Sequence, residues 1–420
     1  MAERDGTPGA GDADIEALES VLANHALTPV FQPVVDLITG ATVGFEALTR
    51  GPARSPVQMP AKLFDAARRA DRLGELDWMA RLTALGAALE IGLRPPMTLF
   101  LNVEPEVLDD EPPTDDDHVL ARAMGGLRVI VELTERALLS KPRKLLAFVE
   151  ELRRRGWGVA VDDIGVHPYS VAMLSVIEPD VVKLDRTVLQ QMTASDATTL
   201  VSGVHAYCRR SGARILCEGL ERSEDVARAR AAGARLGQGW AFGAPQRIRA
   251  PHVVETRPIP MISPRPHLPT RRLITLATRR LPPTREDWHE VERLTRYLIE
   301  YVSHLGATAI VVAGVQHRDR LTPIVAAAFE QLATKVPYVA LLGVGMDDDV
   351  IAGVHGIHIS PADPLTSEWI LAIIGLEDNI ALIGADLGDD EGASRRRYEV
   401  IVSYDPLIVT DIARALLARI

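Results

Sequence analysis

Cysteine is almost absent from this chain: only Cys208 and Cys217 occur in 420 residues. One falls in a helical pattern and the other inside an apolar run, so both read as buried thiols of a reducing compartment, and a disulfide framework is excluded. Long apolar runs are also missing. No window approaches the roughly 18 residues of a membrane span, and MAERDGTPGAGDAD lacks a basic region followed by an apolar one. A cytoplasmic protein without a membrane span is expected. The chain has no cationic excess either: 46 Lys plus Arg face 57 Asp plus Glu, a formal charge of -11, which disfavours long nucleic acid and anionic membranes as partners. No His or Cys cluster offers a soft-metal site, and no internal repeat is visible.

What is present is a 47% hydrophobic content, enough for two or three domains with their own cores. Residues 1–14 are small, polar and Gly-rich and are expected to be disordered until Ile15, Leu18, Val21 and Leu22 begin a helical spacing. Over 15–250, short apolar runs alternate with helical patterns: VFQPVVDL, VGFEAL, TLFLNV, LRVIVEL, GVAVDD, DVVKLD, ARILCEG and ARLGQGWAF. Lys141 to Arg155 is one such helix, with Leu145, Leu146, Phe148, Val149 and Leu152 on one face and Gly156 as its stop. Eight strands with intervening helices predict an α/β fold of the (β/α)8 barrel type. The segment Leu37 to Ala41 is too short for a crossover helix, so the first two strands must form an antiparallel hairpin and the barrel is irregular at its start.

The stretch 251–270 holds six prolines, from Pro251 to Pro269, and predicts an extended spacer. Beyond it, 271–420 reads as a smaller α/β unit. A helix is expected over Arg285 to Leu305 and another over Pro323 to Lys335; the strands TAIVVAGV, YVALLGV, GVHGIHIS, EWILAII, NIALIGADL and YEVIVSY and a last helix from Leu407 to Ile420 complete it.

Acidic clusters close several of the first eight apolar runs: Glu46 in FEALTR, Glu132 and Glu135 in VELTE, Asp162 and Asp163 in AVDDIG, and Glu218 in LCEGLE. In a parallel barrel such strand ends collect at one mouth, where carboxylates repel one another unless a cation neutralises them. Asn102 and Lys183 close two further strands, and Gln238 lies in the last. Glu46, Asn102, Glu132, Asp162, Asp163 and Glu218 form an all-oxygen donor set suited to Mg²⁺ or Mn²⁺. The adjacent pair Asp162 and Asp163 could bridge two ions about 3.5 to 4 Å apart, the spacing of in-line phosphoryl displacement.

FQPVVDLITGATVGFEALTR, LNVEPEVL, VELTER, AVDDIG, VVKLDR and CEGLE, in this order, resemble the EAL domain, the family of cyclic-di-GMP phosphodiesterases, over residues 28 to 247. The resemblance implies metal ligands at the six residues just named and catalytic duty for Glu46, Lys183 and Glu218. Lys183 would hold the attacking water or stabilise charge at phosphorus. It places a loop-anchoring role on Glu135 and supporting roles on Glu221 and Gln238, and it assigns substrate contacts to Gln32, Leu48, Arg50 and Asp185. The implied reaction is hydrolysis of cyclic di-GMP to linear pGpG with two Mg²⁺ or Mn²⁺ ions, in a homodimer.

One loop departs from the family. The usual DDFGTGYSS reads Asp162-Asp163-Ile164-Gly165-Val166-His167-Pro168-Tyr169-Ser170, so a Gly is lost and a Pro gained. That change threatens turnover more than binding and keeps open the alternative of a weak or inactive cyclic-di-GMP receptor signalling to a protein partner. Other polar residues read as ordinary structure: Asp109 to Asp117 as a solvated loop interrupted by Pro112 and Pro113, His167 as a loop residue, and Cys217 as a small strand residue. Arg50 could pair with a nearby acid. Residues 271 to 420 resemble the DICT sensory domain through RRLITLATRRL, ATAIVVAGVQHRDRLTP and RRRYEVIVSYDPLIV. That likeness implies a regulatory role and names no ligand. Gln316, His317, Arg318, Trp369 and Tyr404 are pocket candidates there, with satisfied structure as the ordinary explanation.

Overall fold

The computed structural model describes residues 10–110, 117–135, 139, 141–164, 170–190, 195–248, 257–263, 272–305, 308–348, 350–375, 378–388 and 396–420. A first helix, α1 (Ala10–Ala23), precedes β1 (Thr28–Asp36), β2 (Thr42–Arg50), α2 (Pro60–Arg69), α3 (Leu73–Glu90), β3 (Thr98–Val103), α4 (Asp117–Gly126) and β4 (Arg128–Thr134). Then come α5 (Pro142–Arg154), β5 (Gly158–Ile164), α6 (Ser170–Ile177), β6 (Val181–Leu184), α7 (Arg186–Gln190), α8 (Ser195–Ser211), β7 (Arg214–Cys217), α9 (Ser223–Ala231) and β8 (Leu236–Gln238).

Strands β1 to β8 close into a barrel in sequence order. β1 pairs antiparallel with both β2 and β8, and the other neighbours run parallel. The hairpin expected at Leu37 to Ala41 is therefore present, and its chemistry is local. Asp36 Oδ1 accepts from the backbone N–H groups of Ile38 and Thr39, each at 2.9 Å, and Gly40 supplies a left-handed φ of 72°. The helix after β4 opens with Pro142 in its first turn and ends before Gly156 at φ 74°.

The N-terminal helix begins earlier than the sequence suggests. Residues 10–14, expected to be disordered, belong to α1, where Asp12 sits in the first turn and Asp14 meets Arg69 at 3.6 Å. Acidic residues at a helix N-terminus offset the exposed N–H dipoles, which favours helix despite the small, polar composition.

The second unit contains α10 (Ile274–Thr278), β9 (Thr284–Asp287), α11 (Trp288–Val302), β10 (Ile310–His317), α12 (Pro323–Ala333), β11 (Tyr338–Val344), β12 (His355–His358), β13 (Glu368–Ile374), β14 (Asn379–Asp386), β15 (Arg397–Ser403) and α13 (Pro406–Leu417). Its sheet runs β12-β11-β10-β13-β14-β15-β9, parallel only among β10, β11 and β12. The helix expected from Arg285 starts at Trp288 instead. Thr284 to Asp287 pairs with β15, and Asp287 then caps the helix by accepting from the Glu290 N–H.

Helices α11 and α12 cover one face of this sheet, whereas α13 lies on the other and packs against α5 and α6 of the barrel. One continuous apolar cluster joins Leu145, Leu174 and Val176 of the barrel layer to Ile412 and Leu416 of α13 and Ile370 of the sheet. Arg414 crosses this boundary, donating to the Val176 carbonyl at 3.1 Å and pairing with Glu178 at 3.4 Å. The Pro-rich segment is not a free spacer in its described part, 257–263. Ile259 is buried with Val34, Phe100, Ile130 and Val181 inside the barrel, and its carbonyl accepts from Arg128. No described helix is long and apolar enough to cross a membrane.

Candidate active site at the barrel mouth

Lys183 is the centre of the site. It lies on β6, is 1% exposed, and its Nζ sits 2.7 Å from Glu218 Oε1, 2.8 Å from Glu132 Oε1, 3.2 Å from Asp162 Oδ2 and 3.7 Å from Glu46 Oε2. The barrel's parallel strands bring these residues from four elements to one end, so residues far apart in sequence share one counter-ion. Asn102 donates to Glu46 Oε1 at 2.9 Å, and Gln238 donates to Glu46 Oε2 at 2.6 Å. Both amides thus fix the rotamer of Glu46.

Consecutive strand residues normally face opposite sides. Asp162 and Asp163 escape that rule. Asp163 adopts φ 59°, and the β5–β6 register shifts between Val161 and Ile164, so a bulge turns both carboxylates toward the same mouth. Oxygens of Asp162, Asp163 and Glu218 all lie within 4.8 Å of one another.

One lysine cannot neutralise this many carboxylates. Burial works against an ionised Glu46, but the Lys183 charge and the bonds from Asn102 and Gln238 prevail and hold its pKa below the ordinary range. Glu132 goes the other way: burial and the charge of Glu46 outweigh Lys183 and push it well up. Neither of its carboxylate oxygens receives an aligned hydrogen bond from the protein. Burial, with Asp162 and Glu46 nearby, likewise raises Glu218 to about 8 against the pull of Lys183. Lys183 itself is raised well above its usual value because the surrounding acids overcome its desolvation. An oxygen-only, excess-negative cluster that runs from buried Glu46 and Glu132 to exposed Asn102 and Asp163 fits hard divalent cations, with Glu46, Asn102, Glu132, Asp162, Asp163 and Glu218 as the available donors.

The remaining candidates stand around this core. Gln32 accepts from Gln238 at 3.0 Å and donates to the Gly243 carbonyl at 3.2 Å. Glu135 is 2% exposed, and its N–H donates to the Asp162 carbonyl at 3.1 Å, tying the end of β4 to the bulge. Arg50 donates to the Thr49 carbonyl at 2.8 Å rather than to an acid. Asp185 accepts from the Thr187 N–H at 2.7 Å at the start of α7. Glu221 lies apart from the Lys183 cluster and pairs with Arg186 at 2.6 Å near solvent. Gly165 to Tyr169, including His167 and the departing loop, fall outside the described residues.

Sequence reasoning missed Asp77 and Arg81. They line a cavity of about 310 Å³ that also borders Glu46, Leu48 and Asn102. The pair is buried at 2.5 Å, Asp77 accepts from the Glu104 N–H at 3.0 Å, and the Arg81 guanidinium lies 3.7 Å from the Trp78 ring centroid. Their i, i+4 spacing in LDWMAR was the available signal, but nothing in the pattern marked that helix face as cavity-lining. In the second unit, Trp369 is core rather than pocket: it meets Trp288 edge-on at 4.8 Å and donates to Thr295 Oγ1 at 2.9 Å.

A family model described as the EAL domain matches residues 15–245, and the chain belongs to the EAL domain family. Cyclic di-GMP phosphodiesterase RocR of Pseudomonas aeruginosa is 28% identical over 229 residues, covering 53% of this chain and 58% of that protein. An uncharacterised protein, y4lL of Sinorhizobium fredii, is 28% identical over 246 residues, covering 56% of this chain and 29% of its own length. The chain thus spans less than two thirds of these curated relatives. A solved structure described as PaMucR phosphodiesterase in a c-di-GMP complex aligns at a TM-score of 0.48 and 22% identity, covering 56% of this chain and 97% of that one.

Proposed function

We propose that this chain is a divalent-metal-dependent phosphodiesterase that opens cyclic di-GMP to linear pGpG. The observation that carries the reading is the ring of Glu46, Glu132, Asp162 and Glu218 around the single buried Lys183. The name of RocR supports the substrate, and the oxygens of Asp162, Asp163 and Glu218 within 4.8 Å of one another support the metal.

Glu46, Asn102, Glu132, Asp162, Asp163 and Glu218 would hold two Mg²⁺ or Mn²⁺ ions, which when bound supply Lewis acidity and lower the pKa of water. Lys183, kept protonated by its acidic neighbours, would place a positive charge against the phosphorus oxygens as negative charge builds on them. Asn102 and Gln238 hold Glu46 in one geometry, and Glu135 braces the bulge that aims the two aspartates. Gln32, Leu48, Arg50 and Asp185 would position the dinucleotide, with the Asp77 and Arg81 cavity beside them. Water adds to phosphorus, the bond from phosphorus to the 3′ oxygen breaks, and that oxygen leaves with a proton. Residues 271–420 would act as a DICT-like sensory unit on the barrel, a role supported by the apolar cluster that joins the two.

A second reading, a receptor that binds cyclic di-GMP without turnover, is favoured by Val166, His167 and Pro168 in the loop after Asp163. Chromatography of cyclic di-GMP incubated with the purified chain in Mn²⁺ separates the two. The first reading expects pGpG, lost in Glu46→Ala and Glu218→Ala. Tight binding of intact cyclic di-GMP by folded protein without product would establish the receptor instead.

A further inference from the structure

A groove of about 540 Å³ runs along the second unit between α11 and α12, remote in sequence from every residue of the barrel mouth. Its walls follow from helical periodicity. Arg293, Arg296, Tyr297, Glu300 and His304 fall on one face of α11 and its C-terminal extension, and Gln331 and Lys335 face them from α12 and the turn after it. Ile299 and Leu332, both buried, form an apolar floor.

The charge of this groove is opposite to that of the chain. The sequence carries a formal charge of -11, yet the groove gathers Arg293, Arg296, His304 and Lys335 against one carboxylate, Glu300. Arg293 is occupied by Glu290 at 2.8 Å. Among the described residues, Arg296 and Lys335 have no carboxylate partner, and the Lys335 ammonium donates to the Ser303 hydroxyl at 3.5 Å. Some other arginines of this unit are paired, Arg280 with Asp405, Arg396 with Asp386 and Arg419 with Asp363. Tyr297, 58% exposed, adds an aromatic ring to the same lining. The volume lies within the range of small-molecule sites.

We propose that this groove binds a small organic phosphate carrying a flat ring, of the nucleoside monophosphate class. Arg296 and Lys335 receive the phosphate, Tyr297 stacks on the ring, and Gln331 offers an amide to ring or ribose edges. The inference stands independently of the chemistry at the barrel mouth.

Titration calorimetry of the full chain in EDTA, with GMP as the probe, tests it. Saturable GMP binding is expected to weaken at least tenfold in Arg296→Ala/Lys335→Ala and in Tyr297→Ala, whose side chains are exposed, while cyclic di-GMP binding by the metal-loaded chain stays unchanged. Inorganic phosphate and guanosine, each lacking one half of the recognised group, are expected to bind at least tenfold more weakly than GMP. The proposal is overturned by no GMP binding at millimolar concentration, by GMP binding that ignores the double variant, or by phosphate binding as tightly as GMP. An oligoglutamate peptide that saturates the groove and resists displacement by GMP would also overturn it, in favour of an acidic protein partner.

Discussion

Asp180 immediately precedes β6 and Lys183 lies on it, so two buried ions stand three positions apart at opposite ends of one strand, with opposite surroundings. Asp180, fully buried at the lower end, receives Arg153 at 2.5 Å, the Val159 N–H at 2.7 Å and the Ile262 N–H at 2.5 Å. Its charge is matched and its oxygens are occupied. Lys183 at the upper end faces more negative charge than it can offset, and Glu132 beside it has no aligned donor. Balanced burial is what structure alone requires; unbalanced burial persists where a ligand completes it. The two ends of the barrel thereby divide into a fastening, which also ties down the Pro-rich segment, and a site.

The contrast predicts different consequences for mutations at the two ends. Lys183→Met should lower pGpG formation by about 10²- to 10³-fold or more, while the metal-loaded chain keeps a cooperative melt; turnover and thermal unfolding in Mn²⁺ read both. Asp180→Ala, which strands Arg153 in an apolar setting, should cost about 3 to 5 kcal/mol of stability in urea titration, and added Mn²⁺ should not close the gap. Glu132→Gln should do the reverse in EDTA, stabilising the metal-free chain by about 1 to 3 kcal/mol while diminishing the rise in melting temperature that Mn²⁺ produces.

The smallest effect belongs to Asp36, another matched acid at the lower end, which meets Arg235 at 2.7 Å. Burial opposes its charge, but bonds from Thr39 and Ile38 and the Arg235 pair win and lower its pKa. A depressed folded value means its contribution is full above the ordinary aspartate range and vanishes as pH falls through the folded value. Asp36→Asn should therefore cost about 0.5 to 1 kcal/mol at neutral pH, with the difference from wild type closing on acidification in paired denaturation curves.

Much of the barrel was legible in the sequence because each strand is a short apolar run, and the antiparallel start was legible because five residues cannot hold a crossover helix. The acids of the mouth were legible for a related reason, as strand ends in a barrel converge. That Lys183 is their shared counter-ion was not, since its position says where it lies and not which way four other side chains turn. The bulge at Asp163 needed backbone dihedrals. Asp180 was invisible because its partners, Arg153, Val159 and Ile262, come from a helix, a strand and a segment that reads only as a Pro-rich spacer. The strand at Thr284 to Asp287 was hidden in a polar stretch whose conformation is set by pairing with β15 rather than by its own pattern.

The most direct test of the central claim is a count of Mn²⁺ bound by the EDTA-stripped full chain, made by equilibrium titration beside Asp162→Ala and Glu218→Ala. Two ions per chain, with both variants losing at least one, are predicted. A stripped chain that folds normally and binds no Mn²⁺ at the mouth, or variants that bind as well as wild type, would contradict it.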